Sequence, residues 1–143
     1  MSPVSRQRAR IARVRHIQHD LAAAAASEAK GKVNALEMSA EHLARLRAEL
    51  TADVGTTNGA TIGSMGELAL RIEQAREGLE RSLDRARSVA EAKDQVRLAA
   101  RIQQESADKL KDRASAADEA REERKISASI RPKFRSARQG DDA

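Results

Sequence analysis

Between Met65 and Ala117, apolar side chains return every seven residues in two interleaved rows, and this spacing constrains the chain more than any other feature. One row is Met65, Ile72, Leu79, Ala86, Lys93, Ala100, Ala107 and Ala114; the other is Leu68, Ala75, Ser82, Val89, Val96, Gln103, Leu110 and Ala117. Thirteen of these sixteen positions are apolar, where the overall 40% apolar content would place about six, so the rows are not an accident of composition. A period of 3.5 residues predicts a helix that supercoils left-handed around a partner. Six of the thirteen are alanines, which let helix axes approach but bury little area each, so the predicted seam is thin and its stability modest.

The first third of the chain has helical spacing too. From about Ser5 to Asp53 there is no proline and one glycine, Gly31, with large apolar residues at Ile11, Val14, Leu21, Leu36, Leu43, Leu46 and Leu50. The Ile11/Val14/Leu21 frame is out of phase with the Leu36/Leu43/Leu50 frame, which predicts a coiled-coil stutter near residues 29–32. Residues 54–63 abolish the pattern, and Gly55 is placed to end the first helix in the left-handed conformation. Ser64-Met65-Gly66-Glu67 then matches a capping box, so the second helix is expected to start at about 64. Pro132 is expected to stop it near Ile130, leaving 131–143 as a disordered tail.

Two helices joined by a tip of about ten residues fold back most simply as an antiparallel pair. The expectation is therefore all-α: one coiled-coil hairpin over residues 1–143, helix about 5–53, flexible tip about 54–63, helix about 64–130, with the second helix longer. Composition agrees. A chain of 143 residues with one aromatic, Phe134, and 34% charged residues cannot build a thick core. Without cysteine it has no disulfide, thiol nucleophile or thiolate metal site. No stretch approaches the roughly 20 apolar residues of a membrane span, and the arginine-rich first twenty residues do not form a signal peptide. This reads as a protein held at a membrane only through partners, if at all.

The charge is concentrated at the ends. Residues 1–20 carry five arginines against Asp20, and residues 121–138 carry five arginines and two lysines against Glu122 and Glu123. An antiparallel hairpin brings these segments to one end and makes a basic pole. Its candidate docking residues are Arg8, Arg13, Arg15, Arg121, Arg124 and Lys125. Large apolar residues cluster near the tip, where Ile62 and Leu70 are the candidates for a partner contact. His16 and His19 share a helix face, but neither cysteine nor a carboxylate in convincing spacing completes a metal set. Gly55, Gly59, Gly63 and Gly66 superficially resemble a phosphate cradle, yet Glu67 and Leu68 stand where a P-loop needs lysine and a hydroxyl. A two-helix hairpin offers no enclosed pocket to desolvate catalytic groups, so neither catalysis nor a cofactor or small-molecule substrate is expected.

The sequence resembles the FliJ family of flagellar export proteins and their counterparts in virulence type III secretion. The resemblance rests on Arg10-Ile11-Ala12-Arg13-Val14-Arg15 followed by Gln18, and on Glu105-Ser106-Ala107-Asp108-Lys109-Leu110, Arg113 and Arg121-Glu122-Glu123-Arg124-Lys125. The aromatic residues that many members carry near the tip are missing. The resemblance implies a cytoplasmic stalk, similar to the γ subunit of rotary ATPases, inserted by its terminal end in a hexameric export ATPase. It further implies contacts with the export gate protein and export chaperones, and association with the inner membrane only through the export apparatus. Two other readings stand beside it. A basic helical nucleic-acid-binding protein fits the sequence pI of about 10.1, although no aromatic stacking platform accompanies the arginines. A generic structural coiled coil is the third.

Overall fold

A computed structural model describes the backbone of residues 1–53 and 59–141, and their side chains other than those of 53, 60 and 131–141. The chain is all-α. Helix α1 spans Pro3–Asp53 and helix α2 spans Gly59–Asp141, paired as a hairpin with the second helix longer. The pairing is antiparallel, because partners on α2 step back as α1 advances: Ser5 meets Asp118, His16 meets Asp108, Glu37 meets Arg87 and Arg47 meets Glu73. Residues 1–20 with 99–143 form one compact unit and residues 21–98 a second, so each unit contains a stretch of both helices.

The helix ends differ in part from the sequence expectation. Helix α1 starts at Pro3, whose missing N–H costs nothing at a first helical position, and Ser2 caps it by accepting the Ser5 N–H at 3.1 Å. Helix α2 starts at Gly59, a turn ahead of Ser64, so the capping-box serine lies inside the helix. Ile62, seven before Ala69, falls within this added turn at 44% exposure. Gly55 and the rest of 54–58 lie outside the described residues. At the other end α2 continues to Asp141 in place of the expected tail. Pro132 removes one donor to the Ala128 carbonyl, and the good helix formers Lys133, Arg135, Ala137 and Arg138 follow it.

The packed seam corrects the sequence expectation at two points. On α1 the inward rows are Ser5, Ala12, His19, Ala26, Val33 and Ala40, interleaved with Arg8, Arg15, Ala22, Ala29, Leu36, Leu43 and Leu50; all are buried or half-buried. These run in one three-four frame, interrupted only at exposed Arg47, and there is no stutter. Ile11, Val14 and Leu21, which suggested one, are exposed at 37%, 52% and 66%. On α2 the row from Met65 to Ala114 packs inward as expected, apart from exposed Lys93. Its companion is not the Leu68 row but the one beside it: Ala69, Arg76, Leu83, Ala90, Arg97, Gln104 and Asp118. Leu68, Val89, Val96 and Leu110 stay exposed. Ala69, Ala86, Ala90, Ala100, Ala107 and Ala114 supply short side chains to the two inward rows of α2, and Arg76, Arg97 and Gln104 lie half-buried among them.

The pair consequently has two unlike flanks. On one, residues just after the inward rows form the cross-helix polar contacts: Glu37 with Arg87, Glu73 with Arg47, and His16 with Asp108. On the other, the residues just before the Ser5–Ala40 row of α1 are Val4, Ile11, Gln18, Ala25, Lys32 and Ser39, of which only Lys32 is charged. Those just before the Ala69–Asp118 row of α2 are Leu68, Ala75, Ser82, Val89, Val96, Gln103, Leu110 and Ala117, none of them charged.

Truncation separates the two α2 rows. Leu83→Ala and Ile72→Ala, at side chains 8% exposed, are expected to destabilise the hairpin by about 2 kcal/mol each in denaturant unfolding followed by helicity. Leu68→Ala and Val96→Ala are expected to cost less than about 0.5 kcal/mol. Equal losses in both rows would return Leu68 and Val96 to the seam.

Candidate functional site

The basic residues singled out in the sequence fall in the unit formed by residues 1–20 and 99–143, and they do not form one ring. Arg15 donates to the Gln103 side-chain oxygen at 2.8 Å, which fixes its level along α2. Arg124 lies twenty-one residues beyond Gln103, about 30 Å at the helical rise of 1.5 Å per residue. Arg8 and Arg15 sit half-buried in the inward row; Arg13, Arg121, Arg124 and Lys125 are exposed.

Compensation differs more than position. Over the α2 residues 99–130, seven cations face seven carboxylates, with Arg101 paired to Glu105 at 3.1 Å and Arg121 to Asp118 at 3.4 Å. That stretch is neutral. On α1, Arg6, Arg8, Arg10, Arg13 and Arg15 make no ion pair among the described residues. The uncompensated charge of the described pole therefore belongs to α1, where Arg6, Arg10 and Arg13 stand exposed beside Val4, Val14 and Ile17, themselves 52–59% exposed.

One arrangement in the same unit was not read from sequence. Asp118, in the inward row of α2, accepts the backbone N–H of Ser2 at 3.0 Å and the hydroxyl of buried Ser5. These bonds place a carboxylate on the first turn of α1, where free N–H groups and the helix dipole favour negative charge. The Ser5 hydroxyl first, then the Ser2 N–H, hold the Asp118 pKa down at about 2, with Arg121 a smaller contributor. Ser2 before Pro3 is a legible cap signal, but nothing local to Asp118 marks it as the partner.

The histidines engage in polar contacts instead of sharing a ligand. His16 Nε2 lies 3.0 Å from an Asp108 oxygen and its Nδ1 3.0 Å from the Gln104 amide nitrogen, while His19 is 3.6 Å from Asp20. Among the described residues no three histidine or carboxylate side chains gather as a metal-ligand set. Gly59, Gly63 and Gly66 lie within α2, and none of the described glycines has positive φ. Near the tip, Ile62 continues the inward row at 44% exposure, whereas Leu70, 60% exposed, lies about 100° around the helix from Ala69 in that row. The two candidates do not share a face. Among the described residues no helix is long and apolar enough to cross a membrane. No family model, curated protein or solved structure matches the chain.

The Asp118 contact carries its own pH signature. A carboxylate whose folded-state pKa lies below the ordinary 3.8 contributes in full above about pH 4, and that contribution is lost as pH falls toward about 2. The Asp118 carboxyl carbon, followed by NMR, is expected to titrate near 2 and to move back toward 3.8 in Ser5→Ala. A midpoint at 3.8 in the unaltered chain would remove the Ser5 bond from the account.

Proposed function

We propose that this chain is a non-enzymatic docking protein of a protein-export apparatus, a stalk that engages a hexameric export ATPase through its basic pole. The observation that supports this most is the set of five α1 arginines from Arg6 to Arg15 that have no carboxylate partner among the described residues, beside an exposed apolar edge. An exposed arginine contributes little to stability, so a cluster left unpaired is best placed to steer and orient an acidic partner surface. The resemblance to the FliJ family supplies the partner class, and with it the export gate protein as a further partner near Ile62 and Leu70 and export chaperones as another. Nucleic acid is the alternative partner for the same arginines. The exposed neighbours favour protein, because Val4, Val14 and Ile17 suit an apolar protein surface and no aromatic ring stands among them to stack a base.

Reversal of Arg6, Arg10 and Arg13 to glutamate tests the reading against a control reversed at the exposed Lys30, Arg71 and Arg81. Helicity and melting are expected to change little in either variant, since each exposed charge is worth roughly 0–1 kcal/mol. Binding to an export ATPase, and stimulation of its ATP hydrolysis, are expected to fall about tenfold or more in the pole variant only, and to weaken with salt in the unaltered chain. Equal behaviour of the two variants would overturn the pole as the docking site. Loss confined to RNA or DNA binding would transfer it to nucleic acid.

A further inference from the structure

The unit formed by residues 21–98 holds a groove that neither the basic pole nor the tip explains. It lies beside Val89 of the exposed Leu68 row, has a volume of about 340 Å³, and is floored by Ala29, Ala86 and Val89. The floor follows from the seam. Alanines from both helices, Ala25 and Ala29 on α1 and Ala86 on α2, line the trough, and no described side chain fills it. The walls carry Lys32, Arg85 and Lys93 against the single carboxylate of Glu28, which lies 3.8 Å from Lys32. Arg85 has a neutral partner, the Ser82 hydroxyl at 3.3 Å. Lys93 is the one charged residue in the row from Met65 to Ala114, and it makes no ion pair among the described residues. A lysine where its row otherwise turns apolar side chains inward costs seam area without an internal carboxylate to compensate.

An apolar trough walled by three cations against one carboxylate fits one occupant. We infer that this groove receives a helix of another protein, with small or branched apolar side chains at heptad spacing for the trough and glutamates or aspartates beside them for Lys32, Arg85 and Lys93. Charge excludes the second-copy alternative: an isologous dimer on this flank would set the same three cations against each other. The chain's own regular acidic row, Glu77, Asp84 and Glu91, is no substitute, because the residues three and four before Asp84 and Glu91 are Glu80 or Arg81 and Arg87 or Ser88, not an apolar stripe. An acidic third helix would also cover Val89 and Val96, exposed at 51% and 58%. This inference is independent of the pole, since every residue it uses lies between 21 and 98.

A displayed library of heptad helices tests it, with Ala, Val or Leu at the seam positions and Glu or Lys free to vary on both sides, selected against the full-length chain. Glutamate is expected to dominate the flanking positions, and a recovered helix to bind about tenfold or more weakly to Lys32→Glu/Lys93→Glu, with weakening in salt. Selection against that double variant is expected to return lysine instead. Val89→Asn, at an exposed site where folding is not at stake, is expected to weaken the same helix without changing its charge preference. Recovery of helices without charge preference, an unchanged preference against the reversed variant, or displacement of the helix by RNA or by excess of the chain itself would overturn the inference.

Discussion

Close approach of two helices is possible only where neither side chain at the crossing is long, and in this hairpin that condition is met mostly by alanine. Ala12, Ala26, Ala29 and Ala107 are among the most buried residues, none more than 9% exposed. Each buries little area, so the seam gains from backbone proximity and from a few larger residues, Val33, Ile72 and Leu83, more than from bulk. The remaining stabilisation is polar and lateral: Arg47 with Glu73, Arg87 with Glu37, His16 with Asp108, and Asp118 clasping the first turn of α1.

From that choice of small residues the unlike flanks follow. Axes held close by alanine leave the larger residues of the adjoining row on the shoulder of the pair. Leu68, Val89, Val96 and Leu110 recur at intervals of seven or its multiples, as a packed row would, yet α1 does not cover them. A row with this spacing and without charge is what a further helix reads. The opposite shoulder carries the cross-helix polar contacts of Glu37 with Arg87 and of Arg47 with Glu73. The proposed docking of an acidic helix and that of an acidic surface at the α1 arginines both draw on this uneven distribution of charge.

Much of the fold was legible. Periodicity gave both helices, their order and the inward row from Met65 to Ala114, because heptad spacing survives whatever the residue size. The second row was misread because hydrophobicity scores Leu68 and Val96 above Ala69 and Arg97, although Arg97 lies half-buried in the seam with its guanidinium 2.9 Å from Asp94. The same bias produced the stutter: Ile11, Val14 and Leu21 outweigh Ala12, Arg15 and Ala22 on any apolar scale, although the latter face the partner. The charge-rich pole was visible as a sum, but which arginines keep free charge was not. That depends on placement: Arg121 lies 3.4 Å from Asp118, whereas the arginines from Arg6 to Arg15 make no ion pair among the described residues.

Single cysteines, introduced one at a time into this cysteine-free chain, measure the seam directly through their rates of thiol labelling. Cysteines at positions 12, 26, 83 and 107 are expected to label at least about tenfold more slowly than those at 11, 14, 89 and 96, since the former react only through local opening. Protection at 11, 14 and 89 with free reaction at 12 and 83 would show that the larger apolar residues form the seam, and would contradict the account from its first step.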